Sequence, residues 1–347
     1  MGKKIALLSD IHFGVKKSVD YFLNSQLEFF KTLFIPYLKA NNIKDVYILG
    51  DLMDNRNHIN VKVLNTVYNL FNDDLADYNV TILIGNHDSH YKNSIKTHSL
   101  KFLEQLKNVT IVDEIVYFEE LGKSFLLVPW ITSSEDYIKE LSNNYVDIDY
   151  CFGHFEMSGF SLNQYMINRK GLDPNVQFDI CKHTFSGHYH SRSERIRNGN
   201  IIQYLGSPYQ ITRNDRDDEK GFTVLDIETG EYENIDNNVS IQFKEIRFPE
   251  QFDESLVAGN IIDVLVDYDE NYREDLVQKY IQIIEKYKPA FPPVMKIENK
   301  LLSGKVLEIE QQTVEELLKE YVESLELENH DEIYAELVEL LKQCSRG

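Results

Sequence analysis

The chain predicts a layered α/β protein that carries a small α+β unit and a pair of helices behind it, and three observations support this. Its 347 residues suit about two domains. Short β-branched and aliphatic runs alternate with stretches of helical periodicity through the first two hundred residues. Hydrophobic residues make up 42% and aromatic ones 12%, enough for a packed core and too many for a disordered chain.

The strand-like runs are IALLS, DVYILG, VTILIG, SFLLVPW, DYCFG and KHTFSG, in that order. Between them, Val19 to Lys39, Asn60 to Phe71 and Ser94 to Leu106 space their apolar residues as helices do. NIIQYLG and GFTVLDIETG read as further strands, and the Thr-Gly closing the second suggests a hairpin. Composition shifts after about Ile235. IQFKEIRF and IIDVLVDY read as strands, Tyr272 to Tyr287 as a helix, and a short apolar stretch follows the turn at Phe291-Pro292-Pro293. A polar connector with Ser303-Gly304 then leads to two amphipathic helices. One carries Val314, Leu317, Leu318, Tyr321 and Leu325 on a face, the other Ile333, Tyr334, Leu337, Val338 and Leu341. The expected division is 1–238, 239–298, a linker at 299–312 and a helical tail at 313–347.

Charge and cysteine usage exclude several classes. Lys plus Arg is 36 against 57 for Asp plus Glu, a net charge of −21. Such a chain does not coat nucleic acid generically; any phosphate contact needs a local basic patch, a bound metal or a partner. Residues 301–347 concentrate the acidity, with 12 acidic and 4 basic groups. The three cysteines are scattered and form no C-x-x-C pair, which fits a reducing compartment. The first apolar run stops at Asp10 and no stretch approaches a membrane span, so a cytoplasmic location without a membrane partner is expected.

The informative feature is where the polar ligands fall. Asp10 and His12 follow the first strand, Asp51 the second, Asn86 and His87 the third, His154 a later one, and His188 with His190 another. The crevice beyond the carboxyl ends of strands is where α/β proteins build sites, so these groups can converge. Two carboxylates, four imidazoles, an amide oxygen and no thiolate form a mixed set suited to Mn²⁺, Fe²⁺ or Zn²⁺ rather than a structural zinc. Two divalent cations there would exceed the carboxylates by about two charges and attract an anion such as a phosphate ester. A two-metal centre activates water for in-line displacement at phosphorus.

D-I-H at Asp10–His12, G-D-L-M-D at Gly50–Asp54, G-N-H-D at Gly85–Asp88, G-H at Gly153-His154 and G-H-Y-H at Gly187–His190 resemble, in order, the five motifs of the calcineurin-like metallophosphoesterases. The resemblance implies a β-sandwich flanked by helices. It also implies that Asp10, His12, Asp51 and His190 hold one metal, that Asp51, Asn86, His154 and His188 hold another, and that His87 meets the scissile phosphate and its leaving oxygen. Asp54 stands where the family's phosphatases carry the Asp that orients the catalytic His. Those phosphatases place Arg after that Asp and Glu after G-N-H, whereas this chain has Asn55 and Asp88, with Arg56 shifted by one.

Along its whole length the chain is similar to the SbcD-type nuclease subunits of cells and T-even phages, down to G-S-P at Gly206–Pro208 and D-D-E-K-G-F at Asp217–Phe222. That similarity implies exonuclease and endonuclease activity on DNA with two divalent ions, Mn²⁺ or Mg²⁺. It further implies a capping domain, an SMC-like ATPase bound by the terminal helices, and a homodimer formed near Asn60–Phe71 and Ser94–Leu106. The chain contains no G-x-x-x-x-G-K-[ST] loop of its own, so any ATP dependence belongs to a partner.

Bland readings cover other residues. His58, His90, His98, His183 and His330 lack motif support and read as structural or surface groups, and Asp88 as a turn residue bonding nearby amides. Lys16, Lys17, Arg56 and Arg192 lie beside the ligand loops, where some could guide phosphates. Two rivals share the sequence: a phosphoprotein or small-molecule phosphoesterase, betrayed by preference for monoesters, and a metal-free scaffold, against which the complete ligand set argues.

Overall fold

The computed structural model describes residues 2–299 apart from 146, 164–165 and 269–271, together with 334 and 337. Two compact units divide the chain, Met1–Val266 with Glu274–Lys296, and Asp267–Arg273 with Ile297–Gly347. The linker and most of the helical tail expected from the sequence lie outside the described residues.

The first unit is built on two six-stranded mixed sheets. In one, Lys4–Leu8, Asp45–Ile48, Asn79–Leu83 and Val109–Val112 run parallel. The hairpin Gly221–Asp226 and Tyr232–Asp236 extends it antiparallel at the Lys4–Leu8 edge, as the Thr-Gly turn suggested. In the other, Lys123–Val128, Ile148–His154, Cys181–Gly187 and Asn200–Tyr204 are parallel, with antiparallel edge strands Val116–Glu120 and Ser193–Arg197.

Period-two alternation explains the layers. Ile5 and Leu7 join Leu49 and Leu83 against Phe125, Leu127, Phe152 and Phe185 of the opposite sheet. Ala6 and Leu8 turn the other way, onto a helical layer. Phe125, Phe152 and Phe185 stack in sequence with centroids 6.3 and 5.7 Å apart. Each buried ring contributes on the order of 2 kcal/mol by leaving water.

The helical segment expected over Val19 to Lys39 forms in three parts, Asp20–Glu28, a π-helical stretch Phe29–Phe34 and Ile35–Ala40. Phe29, Phe30 and Phe34 are all fully buried beneath it. Val61–Asn69 is capped by Asn60, whose side chain accepts the Lys62 amide at 2.8 Å. Ser134–Asn144 and Pro174–Ile180 cover the second sheet. The result is the β-sandwich flanked by helices that the motifs implied.

One expectation fails. Ser94 to Leu106 is not a helix: Ser94–His98 pairs with Ser89–Tyr91 as a hairpin, and Ser99–Leu103 is a 3₁₀ turn. Ser89 Oγ donates to the Tyr91 and Ser94 carbonyls at 2.9 and 2.8 Å and closes the turn, and the β-branched Ile95 and Thr97 suit the strand. Local hydrogen bonding overrides the apolar spacing.

After residue 240 the chain forms a three-stranded sheet, Phe243–Phe248, Ile261–Tyr268 and Val294–Asn299, with the helix Glu274–Glu285. It is joined to the sandwich by polar contacts. The Phe243 amide donates to Gln210 Oε1 at 2.6 Å, and Arg213 Nε donates to both oxygens of Asp263 at 3.0 and 2.8 Å. Tyr21 Oη donates to the Gly259 carbonyl at 2.8 Å, and its ring meets Phe291 edge-on at 5.2 Å.

Candidate metal centre

Every motif lies at or just past the carboxyl end of a strand of the two parallel cores, and backbone bonds lace these segments together. The Asp10 amide donates to the Gly50 carbonyl at 3.2 Å and the His12 amide to the Asp51 carbonyl at 3.0 Å. Across the sandwich, the Trp130 amide donates to the Ile84 carbonyl at 2.7 Å. Asp10, His12, Asp51 and His188 all take positive φ, between 50° and 92°, which non-glycine residues rarely do. Such backbone persists where surrounding bonds over-determine it.

Seven predicted residues meet in one basin. Ligand atoms of Asp10, His12 and His190 lie within 4.8 Å of one another, and so do those of Asp51, His154 and His188. Asp51 Oδ2 is 3.7 Å from His12 Nε2 and 3.5 Å from His154 Nε2, so this carboxylate stands between the groups. Asn86 Oδ1 lies 3.0 Å from His154 Nε2 and 2.9 Å from His188 Nδ1.

Neighbouring groups aim these ligands. The His188 amide donates to both oxygens of Asp10 at 3.1 Å, and the His87 amide to Asp51 Oδ1 at 2.8 Å. His154 Nδ1 donates to the Leu49 carbonyl at 2.6 Å, which leaves Nε2 facing the basin. Gly85 lets the loops nest: a Cβ there would lie 2.3 Å from the Asp51 amide nitrogen.

Burial and the Asp51 carboxylate set the electrostatics of the basin. Burial holds His12 well below the ordinary imidazole value and brings His188 down to about 3, so both imidazoles are neutral. Burial also acts to lower His154, but the Asp51 carboxylate outweighs it and lifts the imidazole to about 9. Asp51 in turn is held far below the usual carboxylate range by His154 and His12, despite its burial. Burial raises Asp10. Asp51 and His154 thus favour each other's charged forms.

His87 and Asp54 do meet, by a route the sequence hides. His87 Nδ1 is 2.8 Å from the backbone carbonyl of Asp54, while the Asp54 carboxylate lies 3.6 Å from His12 Nδ1. Asp88 braces the turn as expected, accepting the Leu52, Met53 and Gly85 amides at 3.3, 3.0 and 3.0 Å.

Among the cations, Lys16 and Lys17 are exposed and Arg56 half-buried. Arg192 is otherwise engaged, with Nη1 2.8 Å from Asp236 Oδ1 and its side chain only 10% exposed. Sequence reasoning assigned nothing to Trp130, whose ring lies 5.2 Å from that of His188 and 5.9 Å from that of His154. Its place after the SFLLV strand, level with the ligand loops, was the available signal. Of the histidines without a motif, His183 is buried and stacked on Phe185 at 4.0 Å.

The chain is 29% identical over 333 residues to exonuclease subunit 1 of Enterobacteria phage T4, covering 93% of each protein. It is 31% identical over 131 residues to putative phosphoesterase 078R of Invertebrate iridescent virus 3, covering 37% of this chain and 35% of that one. Among solved structures, an archaeal phosphodiesterase aligns with 67% of this chain and 99% of its own, at 15% identity and a TM-score of 0.38. The family model for calcineurin-like phosphoesterases matches residues 3–192, and the chain belongs to that family.

Proposed function

We propose that this chain is the metal-dependent nuclease subunit of a DNA recombination and repair complex. The observation that carries the reading is Asp51, set in one buried basin between two groups of nitrogen and oxygen ligands.

The donor set fits divalent cations. His12 Nε2 and His190 Nε2 face each other at 3.2 Å, and two further imidazole nitrogens crowd Asn86 Oδ1, an arrangement that ions would resolve. In this reading Asp10, His12, Asp51 and His190 hold one ion and Asp51, Asn86, His154 and His188 the other, Mn²⁺ or Mg²⁺. Bound there, the pair supplies an acidified water and charge neutralisation for in-line displacement at a phosphodiester.

The protein's own groups provide the rest. The His188 amide fixes Asp10, and the His87 amide fixes Asp51. A carbonyl only accepts, so His87 carries its proton on Nδ1 toward Asp54 and keeps Nε2 for exchanging one with the leaving oxygen. Asp54 positions His87 through its backbone.

DNA as the substrate is supported by similarity to the phage exonuclease subunit over nearly the whole chain. Lys16, Lys17 and Arg56 form the proposed phosphate-guiding rim. The tail after residue 312 docks an SMC-like ATPase, a homodimer forms near Asn60–Phe71 and Ser94–Leu106, and the complex works in the cytoplasm. Among the described residues no helix is long and apolar enough to cross a membrane.

The test is hydrolysis of labelled linear and hairpin DNA with Mn²⁺ or Mg²⁺, with and without the ATPase and with a chain ending at Gly304. His87→Ala should keep two metals per chain by elemental analysis and lose about 10²–10⁴-fold in rate. The truncated chain should cut DNA but not bind the ATPase. Faster turnover of phosphomonoesters than of DNA would favour the phosphatase alternative and refute the nuclease.

A further inference from the structure

A cavity of about 400 Å³ is lined in part by Trp130, whose ring also neighbours those of His154 and His188 in the basin. That volume lies in the range of small-molecule sites. Its lining divides by chemistry. Ile95, Ile115 and Ile131 give apolar surface, while Glu114, Asp136 and Glu140 line it with carboxylates. Among the described residues no Lys or Arg lines it; Lys96 approaches Glu114 to 4.0 Å from outside and also pairs with Asp113 at 3.3 Å.

This combination rejects one half of a nucleotide and suits the other. A phosphate would meet three carboxylates and no cation. A nucleobase would find a flat indole to stack on, aliphatic walls for its faces, and acceptors for its exocyclic amines. The indole also lies within 6 Å, centroid to centroid, of two rings of the proposed ligand set, 5.2 Å from His188 and 5.9 Å from His154. Base and phosphate of one nucleotide are joined through a single sugar, so a base seated on Trp130 brings its phosphate to the basin.

We infer that the cavity beside Trp130 seats the nucleobase next to the scissile phosphate, with the indole as its stacking platform. The inference deepens the phosphodiesterase reading of the basin and rests on it. Trp130 is thereby a positioning residue for nucleotide substrates.

The test compares a single-stranded oligonucleotide with an abasic strand of the same length, a diester that has no base. For Trp130→Ala, the ratio of kcat/KM on the oligonucleotide to that on the abasic strand should fall about tenfold, the loss expected of one stacked base. Trp130→Phe should restore most of that ratio. Equal losses on both substrates would mean that the indole merely props His154 and His188, and would overturn the subsite.

A second measurement needs no turnover. Trp130 is the chain's one tryptophan, so its emission, excited at wavelengths where the 21 tyrosines do not absorb, reports on this site alone. The oligonucleotide should quench it, and an abasic strand of the same length should not; equal quenching by both would overturn the inference. Failure of the unaltered protein to hydrolyse either substrate with Mn²⁺ refutes the diesterase reading instead, and the quenching comparison still decides the subsite.

Discussion

Replacing Gly85 by alanine should disable the centre while sparing the fold. The added Cβ would sit 2.3 Å from the Asp51 amide nitrogen and 2.2 Å from Asp51 Oδ1, where ordinary contact begins at 3.4 Å. The clash with the Asp51 amide is with backbone and cannot be relieved by a side-chain rotation. The loops must therefore part by about 1 Å, which overpacking data place at about 1–3 kcal/mol of stability. Metal–ligand distances tolerate about 0.2 Å, so a shift of that size takes Asp51 out of register with one group or the other. A misplacement of about 1 Å typically costs about a hundredfold in rate.

The assay pairs Mn²⁺ titration calorimetry with hydrolysis of ethyl p-nitrophenyl phosphate, alongside thermal melting. Gly122→Ala is the control, because its φ of 72° strains an alanine but nothing lies within 4 Å of the new Cβ. Gly122→Ala should lose about 1 kcal/mol of stability and no metal affinity. Gly85→Ala should lose metal affinity and activity together. Wild-type Mn²⁺ binding and turnover in Gly85→Ala would sink the reasoning, since the distance on which it rests would then be irrelevant to Asp51.

Two other predictions follow from single residues. Burial brings His183 down to about 4 in the folded chain, against about 6.5 unfolded. Between those values the unfolded state binds the extra proton, so stability is full above pH 6.5 and falls by about 3 kcal/mol on descending to pH 4. His183→Leu should flatten that part of the urea-unfolding profile; an unchanged slope would disprove the assignment. Lys16→Ala with Lys17→Ala should reduce the slope of log binding constant against log salt for duplex DNA by about 1.8, if both contact phosphate. A salt dependence equal to wild type would remove both lysines from the DNA rim.

Much of this protein was legible in its sequence because the features involved are local. Short continuous aliphatic runs such as IALL and DVYI marked strands buried on both faces, and the residues at the end of each strand announced the candidate ligands. The unit after residue 240 was readable strand by strand for the same reason. Ser94 to Leu106 was misread where spacing alone was ambiguous and a serine hydroxyl tied a turn.

What only the tertiary structure decided depends on groups far apart in sequence or absent from the side-chain alphabet. Backbone carbonyls hold His87 and His154, and every residue has a carbonyl, so no sequence pattern could assign Asp54 and Leu49 those parts. Arg192 is engaged by Asp236, 44 positions away, and Trp130 gains its place beside His154 and His188 only when the two sheets close. The chain alone determined which chemistry was available, because ligand type is a property of residues. Folding decided which atoms share it, because distance is a property of packing.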